Sequence, residues 1–259
     1  MGMTTAVEVL NAGFRANSST LLHDITLRVK PGTMLGIIGP NGAGKTTLLG
    51  LMAGDLVPTA GEVSLQDRPI GEYRPADLAR QRAVLPQQNL VPFPFTTRDI
   101  VLMGRHPYHG DADNSRENDD RVAATAMEAT DTLSLAHRIY PSLSAGEQTR
   151  VALARIFAQQ TPVILLDEPT ATLDIHHQEH TMGLLRRQAA AGTAVISVLH
   201  DLNLGAAYAD RLVLLSEGAV VATGRPAQVL DERLLSETYR QRMRVMDHPH
   251  RNCPLVVVE

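Results

Sequence analysis

Continuous apolar runs recur along the chain: Met34-Leu35-Gly36-Ile37-Ile38, Pro162-Val163-Ile164-Leu165-Leu166, Thr193-Ala194-Val195-Ile196-Ser197-Val198-Leu199 and Arg211-Leu212-Val213-Leu214-Leu215. Such runs suit strands covered on both faces. Helical stretches separate them, which predicts an α/β sheet, mostly parallel. Further strands are expected at Ala6-Val7-Glu8-Val9, Ile25-Thr26-Leu27-Arg28-Val29, Glu62-Val63-Ser64-Leu65 and Arg82-Ala83-Val84-Leu85, with a polar turn near Asn17-Ser18-Ser19 joining the first pair.

Helices are predicted through Leu48-Leu49-Gly50-Leu51-Met52, around Ile100, Val101 and Met103, from Val122 to Leu135, and from Ala145 to Gln159. Thr96 or Thr97 can cap the second, and His106-Pro107-Tyr108-His109-Gly110 breaks it. The chain reads as a single domain over 1–259. The helix-rich stretch 89–160 lies inside the α/β pattern as an inserted helical subdomain. No internal repeat, heptad or low-complexity tract interrupts this plan.

Composition narrows the picture. With 44% hydrophobic and 20% charged residues, the chain is globular and long enough to bury a sizeable core. A net charge of −4 gives no general electrostatic reason to bind nucleic acid, and 3% aromatics offer no base-stacking platform. The lone cysteine, Cys253, cannot form an intrachain disulfide, which points to a reducing compartment. Residues 1–9 lack the pattern of a signal peptide, and no apolar stretch reaches the length of a membrane span.

The sharpest chemical signal is Gly39-Pro40-Asn41-Gly42-Ala43-Gly44-Lys45-Thr46-Thr47, which follows an apolar strand and opens a helix. It fits G-x-x-x-x-G-K-[ST], the P-loop. Its glycines let backbone N–H groups converge on phosphates, and the helix N-terminus adds positive potential. Lys45 can reach the β- and γ-phosphates, and the Thr46 hydroxyl can hold Mg²⁺. A Gly-rich turn that binds nothing would not need the flanking strand and helix.

Asp167 closes another apolar strand, where its carboxylate can hold Mg²⁺ directly or through water. Glu168 beside it can polarise an attacking water. His200 ends the strand from Thr193. It can contact a γ-phosphate or hold Glu168 and the water in place. Leu143-Ser144-Ala145-Gly146-Glu147 opens a helix with a hydroxyl, a glycine and free N–H groups, the makings of a second anion site. That site can face the P-loop of another copy.

In this order the motifs resemble the ATP-binding-cassette (ABC) ATPases over nearly the whole chain. Gly39 to Thr46 resembles Walker A, Leu143 to Glu147 the signature loop, and Ile164 to Asp167 Walker B, with Glu168 as catalytic glutamate. Gln87 resembles the Q-loop glutamine, a ligand to Mg²⁺ and part of the catalytic set. Ala171-Thr172-Leu173-Asp174 resembles the D-loop, His200 the switch histidine, and Phe14 the adenine-stacking aromatic. The resemblance implies a P-loop NTPase cassette with an antiparallel β subdomain and a helical subdomain. ATP and Mg²⁺ are its implied cofactors, and two ATPs would sit at a head-to-tail homodimer interface. Two sites depart from the usual pattern. Ala145 and Glu147 replace Gly and Gln in the signature, and the D-loop hydroxyl has moved by one position.

The stretch from Gln87 through Phe93-Pro94-Phe95-Thr96 to Gly110 resembles importers of iron chelates, haem and cobalamin. Val91-Pro92-Phe93-Pro94-Phe95-Thr96, His200-Asp201-Leu202-Asn203-Leu204 and the tail His248 to Val256 are similar to haem-importer ATPases. That implies a peripheral subunit on the cytoplasmic face of a bacterial inner membrane. Its partners would be two copies of a permease and, indirectly, a periplasmic binding protein. Ferric siderophore or cobalamin import, or a soluble role in iron–sulfur cluster assembly, are the alternatives. His176-His177-Gln178-Glu179-His180 matches the zinc pattern H-x-x-E-H but reads as a polar helix. The acidic run Asp111 to Asp120 reads as a solvated surface. The His248, His250 and Cys253 tail also reads as solvated.

Overall fold

The computed structural model describes residues 5–17, 19–87, 93–111 and 115–259. Ser18, in the expected first turn, and residues 88–92, at the start of the stretch 89–160 and including Val91-Pro92, lie outside the described residues. So do residues 112–114 of the acidic run.

The chain opens with the antiparallel strands β1 (Val7–Ala16) and β2 (Ser19–Val29), longer than their apolar cores suggest. The strand β3 (Met34–Ile38) and helix α1 (Lys45–Ala53) follow, then β4 (Ala60–Leu65), the short β5 (Arg68–Pro69), α2 (Pro75–Gln81) and β6 (Arg82–Leu85). Next come three helices, α3 (Thr97–Leu102), α4 (Arg116–Ala129) and α5 (Ala145–Ala158). The chain then alternates β7 (Val163–Asp167), α6 (Ile175–Ala190), β8 (Ala194–Val198), α7 (Leu202–Tyr208) and β9 (Arg211–Ser216). It continues with β10 (Ala219–Gly224), α8 (Pro226–Val229) and α9 (Glu232–Tyr239), and then β11 (Met243–Asp247) and β12 (Pro254–Val258).

The strands form a six-stranded sheet in the order β10-β9-β3-β8-β7-β6, parallel except for the β9–β10 pair, and a four-stranded antiparallel sheet in the order β2-β1-β4-β5. In the parallel sheet the side chains alternate faces with period 2. Leu35, Ile37, Leu165, Ile196 and Val213 face a core shared with α1 and the antiparallel sheet. Met34, Ile38, Ile164, Leu166, Val195 and Leu212 face a second core shared with α5, α6 and α7. Both faces are covered, so continuous apolar runs are what this sheet requires. A third core of Ile100, Val122, Met127, Tyr140 and Val151 holds α3, α4 and α5 together. Among the described residues, no helix is long and apolar enough to cross a membrane.

Several expectations need correction. The helix expected over Val122 to Leu135 runs instead from Arg116 to Ala129, because Ser115 caps it earlier and its C-terminal end stops at Thr130. A separate 3₁₀ turn covers Leu133–Leu135. Met103 falls outside α3, in a 3₁₀ stretch that runs through Pro107 to Tyr108. Asp119, read as part of a solvated surface, is buried against Arg105 at 2.8 Å. The His248, His250 and Cys253 stretch forms the connection of the β11–β12 hairpin, where His250 is exposed as read and Cys253 is half-buried against the second core.

Candidate functional site

Four consecutive strands of the parallel sheet, β6, β7, β8 and β3, end on the same edge. Each exit carries a candidate residue: Gln87, Asp167-Glu168, His200 and the P-loop. In an open α/β sheet this carboxyl edge is where ligands bind.

The P-loop turns back over β3. Gly39 has φ 149°, and a Cβ there would stand 2.1 Å from the Leu215 carbonyl oxygen. Gly44 has φ 97° and lies under Leu22, so a side chain there would be both strained and obstructed. Pro40 accepts a hydrogen bond from the Ala43 N–H, and the buried Ala43 accepts one from Gly218. Helix α1 starts at Lys45 with no side-chain cap and no acid in its first turn, leaving N–H groups for an anion. Asn41, Gly42, Gly44, Lys45, Thr46 and Thr47 line a cleft of about 250 Å³ with Leu21 and Glu168.

Lys45 is buried, and its ammonium donates to the carbonyls of Gly39 (2.7 Å) and Pro40 (2.9 Å). Burial pulls its pKa below the usual lysine value, while the Glu168 and Asp167 carboxylates work against that shift. Asp167 is also buried, and burial raises its pKa despite a hydrogen bond from Thr46. Its Oδ1 has no hydrogen-bond partner among the described residues. An orphaned carboxylate oxygen beside a threonine hydroxyl and a P-loop fits a hard, oxygen-seeking cation.

Glu168 takes φ 54°, in the left-handed region, and its N–H donates to the Val198 carbonyl at 3.2 Å. Backbone in that region is unusual for a glutamate. The geometry aims the carboxylate across the sheet edge. Its Oε1 lies 2.5 Å from His200 Nε2, and its Oε2 accepts from the Gln87 amide at 3.2 Å. Of the two positions open to His200, the ring lies against Glu168.

Ser144 caps α5, accepting from the Glu147 N–H at 3.3 Å, and Glu147 Oε2 accepts from the Ser144 N–H at 2.8 Å. This reciprocal capping box accounts for Glu147 at the signature's last position. Those hydrogen bonds hold the Glu147 carboxyl below its usual pKa. Ala145 lines a cleft of about 330 Å³ with Gln87, Asp167 and Glu168. A Cβ on Gly146 would stand 3.4 Å from the Thr172 carbonyl oxygen of the D-loop, and the Thr172 hydroxyl lies 2.8 Å from that of Thr149 on α5. The structure therefore brings the strand-end residues together. Ser144, Gly146 and Glu147 are not among the residues lining the P-loop cleft.

Phe14 is half-buried in the first core, opposite Leu22. It is not among the residues lining the P-loop cleft, where Leu21 stands instead. Sequence reasoning also passed over Tyr239. Burial pushes its phenol pKa to about 12, and it hydrogen-bonds to the Gly39 backbone. A lone tyrosine far along the chain gave no signal. In the H-x-x-E-H stretch, His177 bonds to Asp174 and His180 to the Ala129 carbonyl.

Residues 22–171 match the model of the ABC transporter family. The chain is 48% identical over 259 residues to the "Hemin import ATP-binding protein HmuV" of Thermobifida fusca, covering 98% of this chain and 90% of that one. It is 50% identical over 238 residues to the protein of that name from Rhodococcus jostii, covering 92% and 80%. Among solved structures, a putative metal-chelate type ABC transporter in an inward-facing conformation superposes with a TM-score of 0.84. It is 27% identical and covers 99% of this chain and 98% of its own. A dimeric ATP-binding cassette bound to ADP and Pi superposes at 0.76, with 28% identity and coverage of 85% and 98%.

Proposed function

This chain belongs to the ABC transporter family, and on that premise we propose that it is the ATP-hydrolysing subunit of a bacterial importer that energises haem uptake across the inner membrane. One observation carries the enzymatic half: Glu168 is held by His200 and Gln87 beside the P-loop cleft. Its relatives in Thermobifida fusca and Rhodococcus jostii are hemin import ATP-binding proteins, which favours haem over a siderophore or cobalamin.

In this reading the P-loop N–H groups and Lys45 bind the ATP phosphates. The hydrogen bonds that Lys45 makes to Gly39 and Pro40 are exchanged for phosphate oxygens. Magnesium fits the Thr46 hydroxyl, the orphaned Asp167 Oδ1 and Gln87, and bound there it would neutralise charge developing on the phosphates. Glu168 orients a water for attack, and His200 fixes the direction of that carboxylate. The Ser144, Ala145, Gly146 and Glu147 turn engages the nucleotide held by a second copy, so the working unit is a homodimer. That unit sits on the cytoplasmic face of a permease formed by two membrane subunits, which a periplasmic binding protein supplies.

The test is growth of cells carrying only Glu168→Gln, with haem, a ferric siderophore or free iron salts as iron source. Failure on haem alone is expected. Failure on the siderophore alone would move the substrate to another chelate. Failure on free iron would overturn the importer reading in favour of an assembly role.

A further inference from the structure

His200 is followed directly by a helix that the C-terminal hairpin grips at both ends. At the near end, the Asn203 side chain donates from Nδ2 to the Val256 carbonyl (3.1 Å), and its Oδ1 accepts from the Val256 N–H (2.7 Å). Only one orientation of the amide satisfies both bonds. Among the described residues strand β12 pairs only with β11, so one of its edges is open, and Asn203 closes that edge at Val256. Asp201 caps the same turn, accepting from the N–H groups of Asn203 (2.7 Å) and Leu204 (3.1 Å).

At the far end of α7, the Tyr208 hydroxyl donates to Glu179 Oε2 (2.5 Å). Arg251, in the hairpin's connection, donates to the same oxygen (2.7 Å). Between these ends, Leu202, Leu204 and Ala206 share the second core with Met243, Val245 and Val256. The backbone of His200 is thus anchored on one side by the fully buried β8 and on the other by a helix that is capped, packed and clamped.

We propose that the C-terminal hairpin is a brace for His200, with Asn203 the positioning residue that sets the His200 ring against Glu168. The inference rests on the ATPase reading of the site. It assigns a task to the tail and to the stretch after His200, neither of which contributes a group to the P-loop cleft. Misplacing the ring by a fraction of an ångström would spoil the 2.5 Å contact with Glu168 while leaving Lys45 and Thr46 untouched.

The experiment compares ATP hydrolysis by the full chain and by Asn203→Ala, Asn203→Asp, His200→Ala and the Asn203→Ala/His200→Ala double variant, using single-turnover assays for the slow ones. Asn203→Ala should lower kcat about tenfold with KM for ATP unchanged. Asn203→Asp keeps the acceptor and loses the donor, so it should fall between. In the His200→Ala background, Asn203→Ala should cost nothing further. Should Asn203→Ala fail to fold, Asn203→Asp carries the same comparison. Wild-type kcat in the Asn203 variants would overturn the brace, as would an equal loss with and without His200, or a rise in KM matching the fall in kcat. An inactive wild-type chain would overturn the ATPase reading beneath it instead.

Discussion

His200 Nε2 stands 2.5 Å from Glu168 Oε1, and the Gln87 amide takes the other oxygen of the same carboxylate at 3.2 Å. The carboxylate has no free rotation left, so its direction belongs to three strand ends rather than to Glu168 alone. Replacing Glu168 by Gln keeps the volume and removes the charge. ATP binding should persist, and turnover should fall by about 10²–10⁴-fold, the usual worth of a positioned acid or base. Equilibrium dialysis and a phosphate-release assay on one preparation check both halves. Turnover near the wild-type rate would remove Glu168 from the mechanism.

The orphaned Asp167 Oδ1 carries a cost in the nucleotide-free chain. Burial raises the Asp167 pKa, so its contribution to stability is full below the ordinary aspartate value. That contribution is lost as pH rises through the raised one. Asp167→Asn should therefore melt about 2–4 °C higher than wild type at neutral pH without nucleotide. The gain should shrink as the buffer is made acidic, and hydrolysis should be lost at every pH. Calorimetry from below the ordinary aspartate pKa up to neutral pH tests the sign.

What the sequence disclosed and what it hid have physical causes. Strands buried on both faces must be apolar throughout, so β3, β7 and β8 stood out, and the polar residues at their exits stood out with them. Thr96 as a cap was legible in the same way, since Asp99 completes its capping box. Phe14 was harder to place because β1 and β2 shift register on both sides of it, which destroys the period-2 pattern there. The hairpin β11–β12 was missed because it buries only one side, and a turn containing His248 and His250 interrupts its apolar positions. Asp119 looked like its acidic neighbours. Nothing local in the sequence names Arg105 as its partner.

That pair yields a stability prediction. Arg105 donates to Asp119 (2.8 Å), to the Ala158 carbonyl (2.8 Å) and to Gln160 (3.0 Å), and its guanidinium lies over Tyr108 at 4.2 Å. Asp119→Ala would leave a buried cation without its counter-charge, a loss of about 3–5 kcal/mol. The melting temperature should fall by about 10 °C, and added salt should not restore it, because a buried pair is poorly screened. A drop no larger than that of an exposed control such as Glu62→Ala would contradict the burial.

Glu147 permits a separation of charge from geometry at the signature turn. Its carboxylate accepts from the Ser144 N–H and lies 3.2 Å from Arg138. Those interactions depress its pKa, so its contribution is present above the ordinary glutamate value and is lost as pH falls through the depressed one. Glu147→Ala removes the back-bond and should cost about 1 kcal/mol at neutral pH, a typical capping loss. The deficit should close in acid, where the wild-type carboxyl is protonated. Glu147→Gln retains an oxygen acceptor for the Ser144 N–H and should recover most of the neutral-pH stability without the pH dependence. If the glutamine form instead matches the alanine form in a melt at pH 7, the charge near Arg138 and the helix N-terminus outweighs the capping geometry. Ala145 and Gly146 would then sit on a turn held mainly by electrostatics.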